Sequence, residues 1–159
     1  MRRPVYDGVP VTASFDHVVE ALGADPSTWL PAPATPEAGG HVAVMRASGL
    51  LAAAGVPALV EVGDLDLDPP GLAVRPVAWR ALRTDRVFPR LVGELELSAT
   101  STVTCRLAMV GGYQPPVSVV GDAADRLLGH HVAEAVVRTF LESVATRLVD
   151  SAQGVHATS

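Results

Sequence analysis

The C-terminal part of the chain constrains the fold most, because residues 123 to 149 have the apolar spacing of one long amphipathic helix. The helical wheel places seven apolar side chains in a single stripe, namely Ala133, Val136, Val137, Phe140, Leu141, Val144 and Leu148. A helix with one apolar stripe must cover that stripe with another element. We therefore expect this helix to lie against an antiparallel sheet.

Basic side chains lie at the N-terminal end of the same stripe. The wheel puts Arg126 and His130 on the apolar side, one helical turn apart, and turns His131 to the polar side near Glu142. Arg126 and His130 would then enter the edge of the interior, where they could bind a carboxylate or move a proton. The alternative is that both reach solvent or pair with an acid.

The middle of the chain has the residue pattern of β-strands. Runs rich in Val and Leu, bounded by Gly, Pro, Asp or Ser, predict strands at 41–46, 58–67, 72–82, 88–98 and 102–110. A first strand is expected at 9–15, a short helix at 16–22, and a second helical turn after Asp25-Pro26 that carries Trp29. Residues 31–40 are expected to form a loop, and 50–56 suit a strand or a helical turn. The order predicts the α+β class.

Strand register can be predicted for the last two strands. A three-residue loop at 99–101 sets apolar residues opposite one another on an inner face, pairing Leu97 with Val103, Leu95 with Cys105 and Leu91 with Met109. The same register pairs Glu94 with Arg106 on the outer face. For the preceding strand, a turn near Arg86 would place Trp79 opposite Gly93, where a missing side chain leaves room for an indole.

Composition limits the function classes. A chain of 159 residues fits one domain, which we expect to have its core at about 9–150 and a flexible tail at 151–159. With 48% hydrophobic residues it should fold unaided, and a net charge of −5 disfavours nucleic acid as a partner. We find no segment expected to cross a membrane. Cys105 is the single cysteine, which fits the cytoplasm, and neither a metal site nor a cofactor is expected.

Five short stretches carry a resemblance to a known superfamily: 79–81 (WRA), 88–89 (FP), 93–97 (GELEL), 112–116 (GYQPP) and 121–125 (GDAAD). Together with the order of elements, they resemble the START-like superfamily, also called SRPBCC, of polyketide cyclases, dehydrases and lipid-transport proteins. The resemblance covers residues 11 to 148. It implies a helix-grip fold, in which a curved antiparallel sheet wraps a long C-terminal helix and two short helices follow the first strand.

The resemblance also implies an apolar cavity between sheet and helix, whereas the superfamily shares no catalytic residues that could be transferred. We predict that ten residues line this cavity: Arg75, Trp79, Leu95, Cys105, Met109, Tyr113, Arg126, His130, Val137 and Phe140. His130 and Tyr113 are the catalytic candidates, although Tyr113 could equally be a packing plug beneath its loop. Arg75 could instead pair structurally, Trp79 could serve only the core, and Cys105 is expected to be an inert buried thiol.

The sequence is compatible with three alternative functions. The leading hypothesis is binding of a small hydrophobic molecule, similar to a lipid or a polyketide, in the cavity. The alternative is an enzyme on the same scaffold, such as a polyketide-type cyclase, dehydratase or isomerase. A third interpretation is a structural or interaction module with a filled core. The sequence leaves open whether the chain is an enzyme, which ligand it takes and its oligomeric state.

Overall fold

The computed structural model describes residues 2–46, 55–83, 88–115 and 123–156, with side chains in the last range described from His130 to Gly154. The strands are β1 (Arg3–Val11), β2 (Ala34–Glu37), β3 (Gly40–Met45), β4 (Val56–Val62), β5 (Leu72–Ala81), β6 (Arg90–Ala99) and β7 (Cys105–Gln114). The helices are α1 (Phe15–Gly23) and α2 (Ala123–His156), with a 3-10 turn at Pro26–Thr28.

All strands form one antiparallel sheet in the order β1-β7-β6-β5-β4-β3-β2. Helix α2 packs on its inner face against β1 and β7, and α1 packs against α2. Along β5 the side chains alternate as a half-buried strand requires, with Val77, Trp79 and Ala81 buried and Arg80 exposed. This arrangement confirms the predicted α+β helix-grip fold.

Helix α2 has the inner stripe that the sequence predicted. All seven stripe residues are at most 2% exposed. The helix continues to His156, so the prediction of a flexible tail at 151–159 is wrong as far as this residue, and 157–159 lie outside the described residues. Ala152 extends the stripe by one turn and is buried, which explains why the helix does not end at residue 149. No helix within the described ranges is both long and apolar enough to cross a membrane.

Two elements differ from the sequence expectation near the N-terminus. Strand β1 begins at Arg3 rather than at residue 9, and pairs with β7 over its whole length. The segment 31–40 is not all loop, because β2 pairs with β3 through residues 34–37. Pro36 is compatible with β2, since this strand is at the sheet edge. Of the segment 50–56 with its two alternatives, residues 50–54 lie outside the described residues, Gly55 is in neither a helix nor a strand, and Val56 begins β4.

The predicted register of β6 and β7 is wrong by four residues. The structure pairs Leu95 with Met109 and Leu91 with Tyr113. The connection is longer than predicted because hydroxyl groups close it, with Thr100 Oγ1 lying 2.8 Å from Thr104 Oγ1. Since the shift is an even number of residues, every side chain keeps its predicted face.

The predicted pairings of Glu94 with Arg106 and of Trp79 with Gly93 are also wrong. Glu94 lies opposite Val110, and Trp79 lies opposite Leu91. Gly93 instead faces Gly111, where the two backbones approach so closely that a Cβ atom on Gly93 would lie 2.6 Å from the carbonyl oxygen of Val110. Glycine at this position is therefore required by a strand contact and not by the indole.

Candidate functional site

Tyr113 lies at the end of β7, in a row of inner-face residues that crosses three strands. Trp79 of β5 is opposite Leu91 of β6, and Leu91 is opposite Tyr113. All three side chains are at most 2% exposed. Directly opposite residues of an antiparallel sheet point to the same face. The row therefore brings an indole and a phenol to the same inner surface.

The phenol of Tyr113 contacts the imidazole of His130 across the helix–sheet interface. Tyr113 Oη lies 2.7 Å from His130 Nδ1, which is an ordinary hydrogen-bond distance for a hydroxyl group. The ring centroids are 5.8 Å apart at an interplanar angle of 30°. The His130 side chain is 41% exposed, so it stands at the boundary between the interior and solvent. The structure thus brings the two catalytic candidates together.

Glu134 completes a chain of three residues. Its Oε1 atom lies 3.0 Å from His130 Nε2, so both imidazole nitrogens have partners. The sequence reasoning did not identify Glu134, although its spacing of four residues from His130 places them on adjacent helical turns. His131 is exposed and its Nδ1 lies 3.7 Å from Glu134 Oε2, so Glu134 takes the place that Glu142 was expected to have.

Glu134 faces a surface cleft between β1 and α2. The cleft has a volume of about 440 Å³, and its walls include Tyr6, Asp7, His131 and Arg138. Arg138 Nη2 lies 2.7 Å from Asp7 Oδ1 and ties the helix to the edge strand. The Tyr113–His130–Glu134 chain therefore runs from the buried inner face to an open, polar surface.

Trp79 and Phe140 pack together beneath α2, with ring centroids 4.9 Å apart and an interplanar angle of 48°. Nε1 of Trp79 is buried and has no hydrogen-bond partner in the described part of the chain. A small cavity of about 70 Å³ borders Phe140 and is lined by Met45 and Thr139, among others. An unpaired buried donor is uncommon, because leaving it without an acceptor costs about 1–3 kcal/mol.

Arg75 lies on the same face of β5 as Val77 and Trp79, but its guanidinium is directed to the C-terminal end of α1 and to Gly63. Nε donates to the carbonyl of Gly63 at 3.0 Å, and Nη1 donates to Leu22 and, at 3.2 Å, to Ala24. Its carbon Cζ lies 5.4 Å from the centroid of the Trp29 ring. Burial lowers the pKa of Arg75 from its ordinary value. These contacts correspond to the structural pairing, which was the alternative to a ligand-binding role for Arg75.

Four of the remaining predicted residues are core residues, namely Leu95, Cys105, Met109 and Val137. Leu95 and Met109 are opposite one another and fully buried, and Val137 is buried on α2. Cys105 lies at the far end of β7, where its thiol contacts the carbonyl of Ala13 at 3.4 Å and burial raises its pKa. This raised pKa suits an unreactive thiol. The side chain of Arg126 lies outside the described residues.

Compared by sequence, the chain matches no family model and no curated protein. Its structure is similar to that of a conserved protein from Geobacillus kaustophilus, with a TM-score of 0.59, 18% identity and coverage of 94% of this chain and 97% of that chain. It is also similar to a protein from Thermus thermophilus, with a TM-score of 0.59, 16% identity and coverage of 94% of this chain and 99% of that chain.

A third similar structure is norcoclaurine synthase from Thalictrum flavum, with a TM-score of 0.54, 10% identity and coverage of 94% of this chain and 86% of that chain. At these identities the likeness concerns the fold alone. The resemblance to the START-like superfamily is accordingly confirmed as a resemblance of fold.

Proposed function

We propose that the chain binds a small, largely apolar molecule carrying a hydrogen-bond acceptor, between α2 and the inner face of the sheet. The observation that carries this proposal is the buried, unpaired Nε1 of Trp79. A ligand oxygen at this nitrogen would recover the hydrogen bond that the described chain does not supply. Apolar walls with one or two placed polar groups are typical of small-molecule sites.

The residues proposed to contact the ligand are those that share the inner surface with Trp79. They are Leu95, Met109, Tyr113, His130, Val137 and Phe140, with Arg126 retained from the sequence prediction. Arg75 and Cys105 are no longer proposed as polar contacts, because backbone carbonyls already accept from Nε and Nη1 of Arg75 and from the Cys105 thiol. That a norcoclaurine synthase has the same fold supports a small-molecule role over a module with a filled core. The cytoplasm remains the proposed location, since the single cysteine is a free thiol.

Nuclear magnetic resonance of the two tryptophan indoles tests this proposal. Trp29 is the internal control, because its Nε1 already lies 3.4 Å from the carbonyl of Ala24. 2-Tetralone should move the Trp79 N–H signal and leave that of Trp29 in place. Tetralin, which has the same carbon skeleton without the oxygen, should bind about fivefold to tenfold more weakly, as the loss of one hydrogen bond predicts. The variant Trp79→Phe assigns the signals.

The contrary result is a Trp79 signal that neither compound moves, which would favour the filled module. Native mass spectrometry of the purified protein, followed by extraction of any bound molecule, then addresses the natural ligand. We expect the extract to contain an apolar molecule with at least one carbonyl or hydroxyl oxygen. A bound molecule that lacks any acceptor would argue against the role given to Trp79.

A further inference from the structure

We infer that the Tyr113–His130–Glu134 chain is a proton relay, and that it makes the ligand site an acid–base catalyst for apolar ketones with an acidic C–H beside the carbonyl. The inference rests on the proposed function, because the ketone oxygen would be held by Trp79. It adds a reaction, a substrate class and a role for Glu134.

The partners of His130 determine which atoms carry protons. An ionised Glu134 carboxylate can only accept, so the imidazole proton lies on Nε2, which is 3.0 Å from Oε1. Nδ1 of a neutral ring is then an acceptor, and the phenol of Tyr113 donates to it across 2.7 Å. A hydroxyl, an imidazole and a carboxylate in this order are the groups by which enzymes remove a proton from an oxygen.

Burial along the relay suits a reaction shielded from water. Tyr113 is fully buried, the His130 side chain is 41% exposed and the Glu134 side chain is 51% exposed. The reactive phenol oxygen thus lies at the apolar end, while the carboxylate opens on the cleft between β1 and α2. Electrostatic interactions at the buried end are stronger than in water.

Trp79 supplies the second polar contact that the reaction needs. Trp79 and Tyr113 are in the same cross-strand row with Leu91 between them. Two strand spacings separate their backbones by about 10 Å. A bicyclic ketone can span this separation, since both side chains point to the same face. The carbonyl oxygen would accept from the indole N–H, and the C–H beside it would face the phenol oxygen.

The reaction balances with water as the only further reactant, which supplies the exchanged proton. The Tyr113 proton first moves to His130 Nδ1, which leaves a phenolate beside an imidazolium that Glu134 stabilises. The phenolate then takes the proton from the carbon next to the carbonyl. The C–H electron pair becomes a C=C bond, and the former carbonyl π pair moves to the oxygen held by Trp79. Tyr113 then returns a proton to the same carbon or to another carbon of the enolate, which gives an exchanged ketone when the relay protons have exchanged with solvent, or an isomerised one. His130 finally gives its Nδ1 proton back to the phenolate, which restores the site.

Tyr113 is the catalytic residue in this scheme, and Glu134 is a positioning residue that acts through His130. The competing explanation is that the same hydrogen bonds only fasten α2 to β7. A structural role would change stability and ligand affinity together. The relay instead predicts that exchange is lost while the ketone still binds.

The experiment measures deuterium uptake by 2-tetralone in D₂O, followed by proton resonance of its C1 and C3 positions. The wild-type protein should accelerate exchange about 100-fold or more over buffer. Tyr113→Phe should abolish at least nine-tenths of that acceleration. Glu134→Gln should lower the maximal exchange rate about tenfold with unchanged affinity for 2-tetralone. Glu142→Gln is the matched control, an exposed carboxylate on the same helix, and should exchange like the wild type.

The outcomes separate this inference from the proposed function. If 2-tetralone moves the Trp79 signal but exchanges no faster than in buffer, the relay is refuted while the binding site stands. Exchange that persists in both Tyr113→Phe and Glu134→Gln also refutes it. If 2-tetralone does not bind, both ideas fail together. Because Glu134 is exposed, its variant provides a test even if Tyr113→Phe is unstable.

Discussion

Oη of Tyr113 lies 2.7 Å from Nδ1 of His130, which joins the last strand of the sheet to the long helix by one side-chain hydrogen bond. The surrounding contacts between these elements are mainly apolar. This bond therefore fixes the rotation of α2 at its described N-terminal end more specifically than packing does. It also determines which side of His130 remains available to Glu134.

Tyr113→Phe should destabilise the fold by about 1 kcal/mol, because it removes that hydrogen bond while retaining the buried ring. Urea unfolding should show a lower midpoint with an unchanged slope. Tyr6→Phe is the control, since Tyr6 is 65% exposed, and its effect should stay within about 0.5 kcal/mol. Equal effects of the two substitutions would contradict a role for the Tyr113 hydroxyl.

Arg75→Leu should destabilise the fold by about 3 kcal/mol, since it leaves carbonyls of residues 22, 24 and 63 without their charged donor. Thermal and urea unfolding both measure this loss. Arg80→Leu changes the same residue type on the exposed outer face of the same strand and should be nearly neutral. A neutral Arg75→Leu would mean that the guanidinium contributes no net stability.

Gly93→Ala should destabilise the fold by about 1–3 kcal/mol through overpacking, because the added Cβ meets the backbone of β7 at Val110 and Gly111. Backbone atoms of a paired strand cannot move aside as a flexible side chain can. Gly154→Ala is the contrasting substitution, since a Cβ there meets nothing within 4 Å. In a helix this change should be neutral or stabilising by up to about 1 kcal/mol.

Ser27→Ala should raise the pKa of Asp25 toward its ordinary value. Hydrogen bonds from the Ser27 hydroxyl and then from its backbone N–H lower this pKa in the wild type, with His41 adding a smaller effect. A lowered folded pKa stabilises the fold above the unfolded value near pH 4 and loses that effect as pH falls through the folded value. Carbon-13 titration of the Asp25 carboxyl measures the shift, and an unchanged pKa would disprove the role of the hydroxyl.

Much of the fold could be predicted from residue pattern. The stripe of α2 and the strand β5 appear in the structure as predicted, because both depend on short-range periodicity and on burial of apolar surface. Register could not be predicted in the same way. Register depends on how many residues the connection between β6 and β7 contains. Hydroxyl contacts such as that between Thr100 and Thr104 stabilise a longer connection than the sequence pattern predicted.

The candidate site likewise has features that the sequence predicts and others that it does not. Sequence periodicity placed His130 on the sheet-facing edge of α2. The spacing of four residues could also have identified Glu134 as a partner of His130. The partnership of Tyr113 with His130 joins residues from two elements, and the direction of Arg75 depends on carbonyls some fifty residues earlier in the chain. Local pattern carries no information on such partners.

By itself the sequence determined the α+β class, the inner stripe of the long helix and the face on which the residues of β6 and β7 lie. Burial of apolar surface acts through spacing along the chain, and spacing is visible in the sequence. The tertiary structure alone decided that Tyr113 meets His130, that Arg75 donates to the end of α1, and that Trp79 keeps an unpaired N–H. These contacts form between distant segments, so directional hydrogen bonds select them only after the elements have packed.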